Sequence, residues 1–232
     1  MLSLGTTESQ VAARRTTFLR RIPALTVRNL EKFFRPQRIA VVGSAGASDP
    51  VWSSILNNLT SSQFAGEVYA VDKTGRGNQA GETYSAITSL PCSVDLAVVC
   101  GSAGDVPKWV RECGECGVRA VLVTSGGFRE SGALGLALRR QILSEANRFE
   151  GMRILGPRSM GVLVPRIDLN ASLASVPPKL GRIAFISQSG TLCTSALDFA
   201  REAEIGFSHF VSIGDALEVT VGDLIDYFAA DP

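Results

Sequence analysis

Residues Ile186-Ser187-Gln188-Ser189-Gly190-Thr191 place a tight turn of small and hydroxyl side chains between an apolar run and a helical pattern. Such a turn aims free backbone N–H groups at one point, with the positive end of a helix behind them. Ser189, Gly190 and Thr191 are therefore candidate ligands for a phosphate. The competing chemistry is a nucleophile elbow. It needs G-x-S-x-G, whose first glycine is missing here, and its base would have to be His209, the single histidine of the chain. Serine hydrolysis is the weaker reading.

A second turn of this kind, Gly43-Ser44-Ala45-Gly46-Ala47-Ser48-Asp49-Pro50, follows the first apolar run. Gly43, Ser44, Ala45 and Gly46 would let backbone approach a nucleotide phosphate, although the third position of a G-x-G-x-x-G fingerprint falls on Asp49. Asp72 stands where a nicotinamide dinucleotide's ribose acid would stand. Beside it, Lys73 and Arg76 suit an extra phosphate instead, such as the 3′-phosphate on the ribose of coenzyme A. A solvated charged turn is the plain alternative. Three further runs end in Gly101-Ser102-Ala103, Ser125-Gly126-Gly127-Phe128 and Gly156-Pro157-Arg158-Ser159-Met160-Gly161. Each alone is turn punctuation. On one sheet edge together, they predict a pocket.

The elements that must hold these loops alternate along the chain. Strands are expected at 39–42, 67–71, 96–100, 120–124 and 152–155, and helices at 53–59, 105–116 and 133–148. Unbroken apolar strands between helical patterns predict parallel βαβ units buried on both faces, hence a Rossmann-like domain over 30–156. Leu30, Phe33 and Phe34 form the apolar side of a short lead-in helix stopped by Pro36. Residues 157–181, with Pro157, Pro165, Pro177 and Pro178, read as a linker. A second series follows over 182–232: strand 183–187, helix 191–204, strand 210–213, helix 221–229. Two strands are too few for an open sheet, so this second domain is expected to be truncated.

Composition narrows the classes. The chain has 232 residues, 23 basic and 22 acidic, which argues against nucleic acid or an anionic membrane as the main partner. No apolar run approaches the roughly 18 residues of a membrane span. The expectation is a cytoplasmic protein. Residues 1–29 form a basic extension in which Arg14, Arg15, Arg20, Arg21 and Arg28 face the lone acid Glu8, so an organelle matrix is the alternative. Five cysteines suit a reducing compartment. Cys113 and Cys116 form a C-x-x-C with no second pair to complete a zinc site, so no metal is expected.

Several segments, in register, carry a more specific signal: KFFRPQRIAVV (32–42), DLAVV (95–99), GMRILGPRSMG (151–161), NAS (170–172), GRIAFISQSGT (181–191) and GFSHFVSIG (206–214). They resemble the nucleoside-diphosphate-forming acyl-CoA synthetase superfamily. It includes the alpha subunit of succinyl-CoA synthetase and the ligase-like part of Pat-type protein lysine acetyltransferases. The resemblance implies an α/β fold, a Rossmann-like CoA-binding domain followed by a partial flavodoxin-like domain. It implies coenzyme A or acyl-CoA at Gly43, Ser44, Ala45, Gly46, Lys73, Gly101, Ser102, Ala103, Ser125, Gly126 and Gly127, and phosphate at Ser189 and Gly190. ATP or ADP and magnesium would bind only through an ATP-grasp domain or subunit outside these residues, as would the family's phosphohistidine. On this reading the chain alone is too short to run the full reaction. Glu218 stands loosely where relatives place an acid beside that histidine.

Two departures bear on activity. Relatives commonly read GPNC or GPNS where this chain has Gly156-Pro157-Arg158-Ser159, and Asp49, Pro50 and Trp52 replace small residues near the first loop. Arg158 leans toward an acyl-CoA-sensing regulatory region of the acetyltransferase type rather than a ligase. An NAD-dependent oxidoreductase is the reading from another class. His209 is expected to be structural, at the amino end of its strand and away from the ligand edge.

Overall fold

The computed structural model describes residues 26–43, 49–73 and 83–230. The first sheet is parallel throughout, with strands β1 (Arg38–Gly43), β2 (Glu67–Asp72), β3 (Thr83–Tyr84), β4 (Leu96–Val99), β5 (Ala120–Val123) and β6 (Arg153–Leu155). Their order is β3-β2-β1-β4-β5-β6. The chain winds outward from β1 to β3 and then restarts at β4 on the other side, so a switch point lies between β1 and β4.

Helices cover both faces of this sheet. Successive strand residues point to opposite sides, which sends Ile39 and Val41 into one core cluster and Ala40 and Val42 into another. Helix α1 (Glu31–Phe34) and helix α2 (Pro50–Ser61) pack into the first cluster through Phe33, Phe34, Trp52, Ile55 and Leu59. Helices α3 (Val106–Glu115) and α4 (Gly132–Ala146) fill the second through Val106, Trp109, Val110 and Ile142. Burial of these side chains accounts for the unbroken apolar runs of the sequence. The start of α2 also explains two sequence departures. Asp49 caps it, accepting from the N–H groups of Val51 (2.9 Å) and Trp52 (3.3 Å), and Pro50 opens the helix where no N–H is needed.

A second sheet has the order β8-β7-β10-β9, built from β7 (Gly161–Val164), β8 (Leu169–Ser172), β9 (Leu180–Ser187) and β10 (Phe207–Ser212). Helix α5 (Gly190–Glu202) crosses from β9 to the parallel strand β10, and α6 (Val221–Ala229) follows. Residues 157–181 are thus not a plain linker. They contribute the antiparallel pair β7 and β8, and β7 runs antiparallel to β10. Each of these strands has only four residues, and the 3-10 turn from Pro165 to Ile167 separates them, so the prolines limit the strands without preventing them. Val162, Val164, Ala171, Val211 and Leu224 join the same cluster as Ile39 and Trp52, which makes the core continuous between the two sheets. Strand β9 borders the second sheet, with Leu180 and Ile183 at least half exposed.

The basic extension expected over 1–29 lies mostly outside the described residues. Its last residues dock on the first domain: Asn29 donates to the Gly151 carbonyl at 2.6 Å and Arg28 pairs with Glu150 at 2.7 Å. Among the described residues, no helix is long and apolar enough to cross a membrane.

Candidate functional site

Parallel register brings the ends of β1, β2, β4 and β5 to one edge, and with them Gly43, Lys73, the 101–103 loop and the 125–127 loop. Ser44, Ala45, Gly46 and Arg76 lie outside the described residues. Gly43 sits against the indole of Trp52, where an added Cβ would meet the ring at 2.5 to 3.2 Å, while the indole N–H donates to the Val41 carbonyl at 3.0 Å. Because Asp49 already occupies the first N–H groups of α2, that helix start presents a carboxylate to an approaching phosphate.

The better-shaped part of the edge lies on the other side of the switch point. Gly101 has φ 116° and Gly127 has φ 89°, conformations that favour glycine. These two loops touch: a Cβ on Gly127 would stand 3.2 Å from that of Ala103. The Ser102 hydroxyl accepts from the Gly104 N–H at 3.3 Å. Glu130 accepts from the Gly127 N–H at 2.7 Å, and backbone N–H groups hold its carboxyl below the usual range. Lys73 is ion-paired with Glu112 of α3, both largely enclosed. Asp72 is fully buried.

Ser125 is 5% exposed, yet its hydroxyl has no partner among the described residues. An orphaned buried hydroxyl costs folding free energy unless something else satisfies it. Ser125→Ala is therefore expected to raise the thermal stability of the ligand-free protein, by about 1 kcal/mol. It should also weaken a ligand that uses the hydroxyl. Lower stability of the ligand-free variant in thermal denaturation would show that the hydroxyl is already satisfied.

Thr124 and Gly126, on either side of Ser125 in the sequence, line a cleft of about 480 Å³ that joins the two sheets. Its walls include Gly126, Arg158 and Met160 from the first domain and its exit turn, and Gly190, Thr194 and Leu197 from α5. The turn at 156–161 makes this possible. Gly156 and Gly161 have φ 109° and 119°, and Arg158 has φ 58°. Ser159 donates to the Ser212 carbonyl, and Ser212 accepts from the Met160 N–H at 3.0 Å, so the turn is tied to the end of β10. At the start of α5, Ser189 accepts from the Leu192 N–H at 3.2 Å, and the Ser187 hydroxyl accepts from the Ser189 N–H at 3.1 Å. The space beside Gly190 is open. Sequence patterns had placed the two groups of loops separately; the structure brings Gly126 and Gly190 into one cleft.

Two other residues stand elsewhere. The loop after Gly214 runs back along β6, with Asp215 N–H bonded to the Pro157 carbonyl and Val219 N–H to that of Ile154. Glu218 is consequently carried toward the amino end of the first sheet. There it accepts from Arg153 Nε at 2.8 Å and from the Ile154 N–H at 2.9 Å, so its geometry is that of a structural partner of Arg153. Burial raises its carboxyl above the usual range, opposed by Arg153. His209 is 6% exposed near the amino end of β10, edge-on to Phe34 at 5.4 Å and 4.7 Å from the Phe228 ring. That is the structural setting expected of it. The buried thiols of Cys100 and Cys113 are pushed up by desolvation, Cys100 to about 12.

Residues 37–165 match a family model described as a CoA binding domain, and residues 180–232 one described as the succinyl-CoA ligase like flavodoxin domain. The chain belongs to the CoA-binding domain family. It is 36% identical to acetate–CoA ligase (ADP-forming) I of Archaeoglobus fulgidus, over 87% of this chain and 29% of that protein. With the alpha subunit of acetate–CoA ligase (ADP-forming) II of Pyrococcus furiosus the identity is 34%, over 86% of this chain and 43% of the subunit. Among solved structures, dinucleotide-forming acetyl-coenzyme A synthetase 1 of Ca. Korarchaeum cryptofilum, in complex with phosphate and ADP, superposes with a TM-score of 0.81. It is 34% identical, covering 88% of this chain and 43% of that one. The chain spans less than half the length of these relatives. Its architecture is the α/β pairing that the sequence predicts, a Rossmann-like CoA-binding domain followed by a flavodoxin-like one.

Proposed function

We propose that the chain binds coenzyme A or an acyl-CoA along the carboxyl edge of its first sheet, as the CoA-binding portion of a nucleoside-diphosphate-forming acyl-CoA synthetase. The observation that carries this reading is the unpartnered Ser125 hydroxyl at the carboxyl edge of the first sheet, between Thr124 and Gly126 of the cleft lining, within a domain of the CoA-binding family. Gly101, Ser102, Ala103, Gly126 and Gly127 leave room for the ligand, and Gly43 and Lys73 flank it across the switch point. Lys73 would exchange Glu112 for the 3′-phosphate. Ser189, Gly190 and Thr191 would receive a phosphate at the open start of α5. In the complete reaction, acyl-CoA, ADP and phosphate would yield acid, CoA and ATP, with ATP, magnesium and an ATP-grasp partner supplied from outside these residues.

Arg158, at the cleft where relatives carry asparagine, favours a second reading: an acyl-CoA-sensing region of a Pat-type acetyltransferase. The buried Asp72 weighs against an NAD site, since no ribose hydroxyl reaches it without rearrangement. Calorimetric titration with CoA, dephospho-CoA, NAD and ADP tests the proposal. CoA should bind, and Lys73→Ala should weaken CoA about tenfold more than dephospho-CoA. Tight NAD binding with no response to CoA would overturn it.

A further inference from the structure

We infer that the cleft beside Gly126 takes an acyl group that carries its own carboxylate, and that Arg158 is the residue that selects it. The inference rests on the CoA-binding reading and adds the chemical class of the acyl group. Arg158 has φ 58°, in the left-handed region that costs an arginine free energy and that asparagine, common here in the family the sequence resembles, tolerates. Strain of this kind at the wall of a cleft points to a side chain held there for a purpose. The guanidinium is also weakly committed. Its carboxylate partner, Glu130, stands at 4.0 Å, the outer limit of an ion pair, and Glu130 is itself bonded to the Gly127 N–H.

The other charged groups of the cleft offer no equivalent. Arg201 and Asp198 both line it, but they pair with each other at 3.4 Å along α5 and largely cancel. The larger share of the remaining wall is apolar, with Met160, Leu173, Val176 and Leu197, beside the hydroxyls of Thr124, Ser159, Ser175 and Thr194. Mostly apolar walls with one loosely held cation suit a short methylene chain ending in a carboxylate, which a guanidinium receives through two parallel hydrogen bonds. An acetyl group would leave that cation without a partner in the ligand.

The test is calorimetric titration of the chain with acetyl-CoA, butyryl-CoA, succinyl-CoA and glutaryl-CoA. Succinyl-CoA or glutaryl-CoA should bind about tenfold more tightly than butyryl-CoA, which matches the methylene chain without the charge. In Arg158→Asn that ratio should fall to near one. Asparagine suits the backbone conformation, so this variant is expected to fold. Arg158→Gln, which keeps some reach and loses the charge, should behave in the same way. Equal binding of charged and uncharged esters overturns the inference and leaves the CoA-binding reading standing, as does a preference that survives both substitutions. Failure of every ester to bind overturns both.

Discussion

Glu218→Ala should lower folding stability by about 3 kcal/mol and leave the affinity of the folded protein for coenzyme A unchanged. Arg153 is 6% exposed, and its guanidinium meets the Thr26 and Arg28 carbonyls, Glu218 at 2.8 Å and Asp223 at 3.6 Å. Removing Glu218 leaves a buried cation with its nearer carboxylate gone, and the Ile154 N–H without its acceptor. Breaking such a pair costs more than the pair itself contributes, because the desolvated charge stays behind. Urea denaturation, with calorimetry at neutral pH, checks both statements. A large loss of ligand affinity with unchanged stability would return Glu218 to the binding site.

A comparable loss is expected from one methyl group on α4. Gly135 is buried, and a Cβ there would fall onto the Phe128 carbonyl oxygen and stand 2.9 Å from the Phe128 Cα. Both atoms are backbone, so no side-chain rotation relieves the clash. Either α4 moves off the sheet or the 125–128 loop moves, and Phe128 itself is fully buried in the second core cluster. Gly135→Ala should therefore cost about 3 kcal/mol, the upper range of overpacking, and should weaken CoA through displacement of Ser125 and Gly126. Gly132→Ala separates backbone strain from contact at the start of the same helix: nothing lies near its added Cβ, and its backbone, φ 55° and ψ −126°, lies outside the left-handed well that other residues reach. It should cost about 1–3 kcal/mol by thermal denaturation and leave the affinity for coenzyme A unchanged. Unchanged coenzyme A affinity in Gly135→Ala would show that the Phe128 contact is not tight.

Much of the fold is legible in the sequence because parallel strands buried on both faces appear as unbroken apolar runs. Strands β1, β2, β4, β5 and β6 fall where those runs were, and β9 and β10 cover theirs. The two-residue strand β3 and the polar-ended strand β8 carried no comparable signal, whereas β7 is an apolar run as long as β4. Prolines beside β7 and β8 pointed to a linker, although the intervening residues pair well enough. Asp49 and Pro50 read as departures from a glycine loop, and only the start of α2 shows them to be a cap and a first helical residue.

The sequence by itself determined which residues stand at strand ends, since burial on two faces confines small and polar residues to the loops. It also determined the family, through several segments in register. Tertiary structure alone decided which of those ends share a cleft. Gly126 and Gly190 belong to different sheets' loops, and they meet because Ser159 and Ser212 tie the exit turn of one sheet to the last residue of β10. Glu218 moved the other way. Only a few residues beyond Gly214, it is drawn off by a loop that bonds back along β6 to the opposite end of the sheet. Local patterning records whether a residue faces core or solvent. It carries no record of the path taken by a loop whose hydrogen-bonding partners lie tens of residues away, and that path sets which charges and hydroxyls face the ligand.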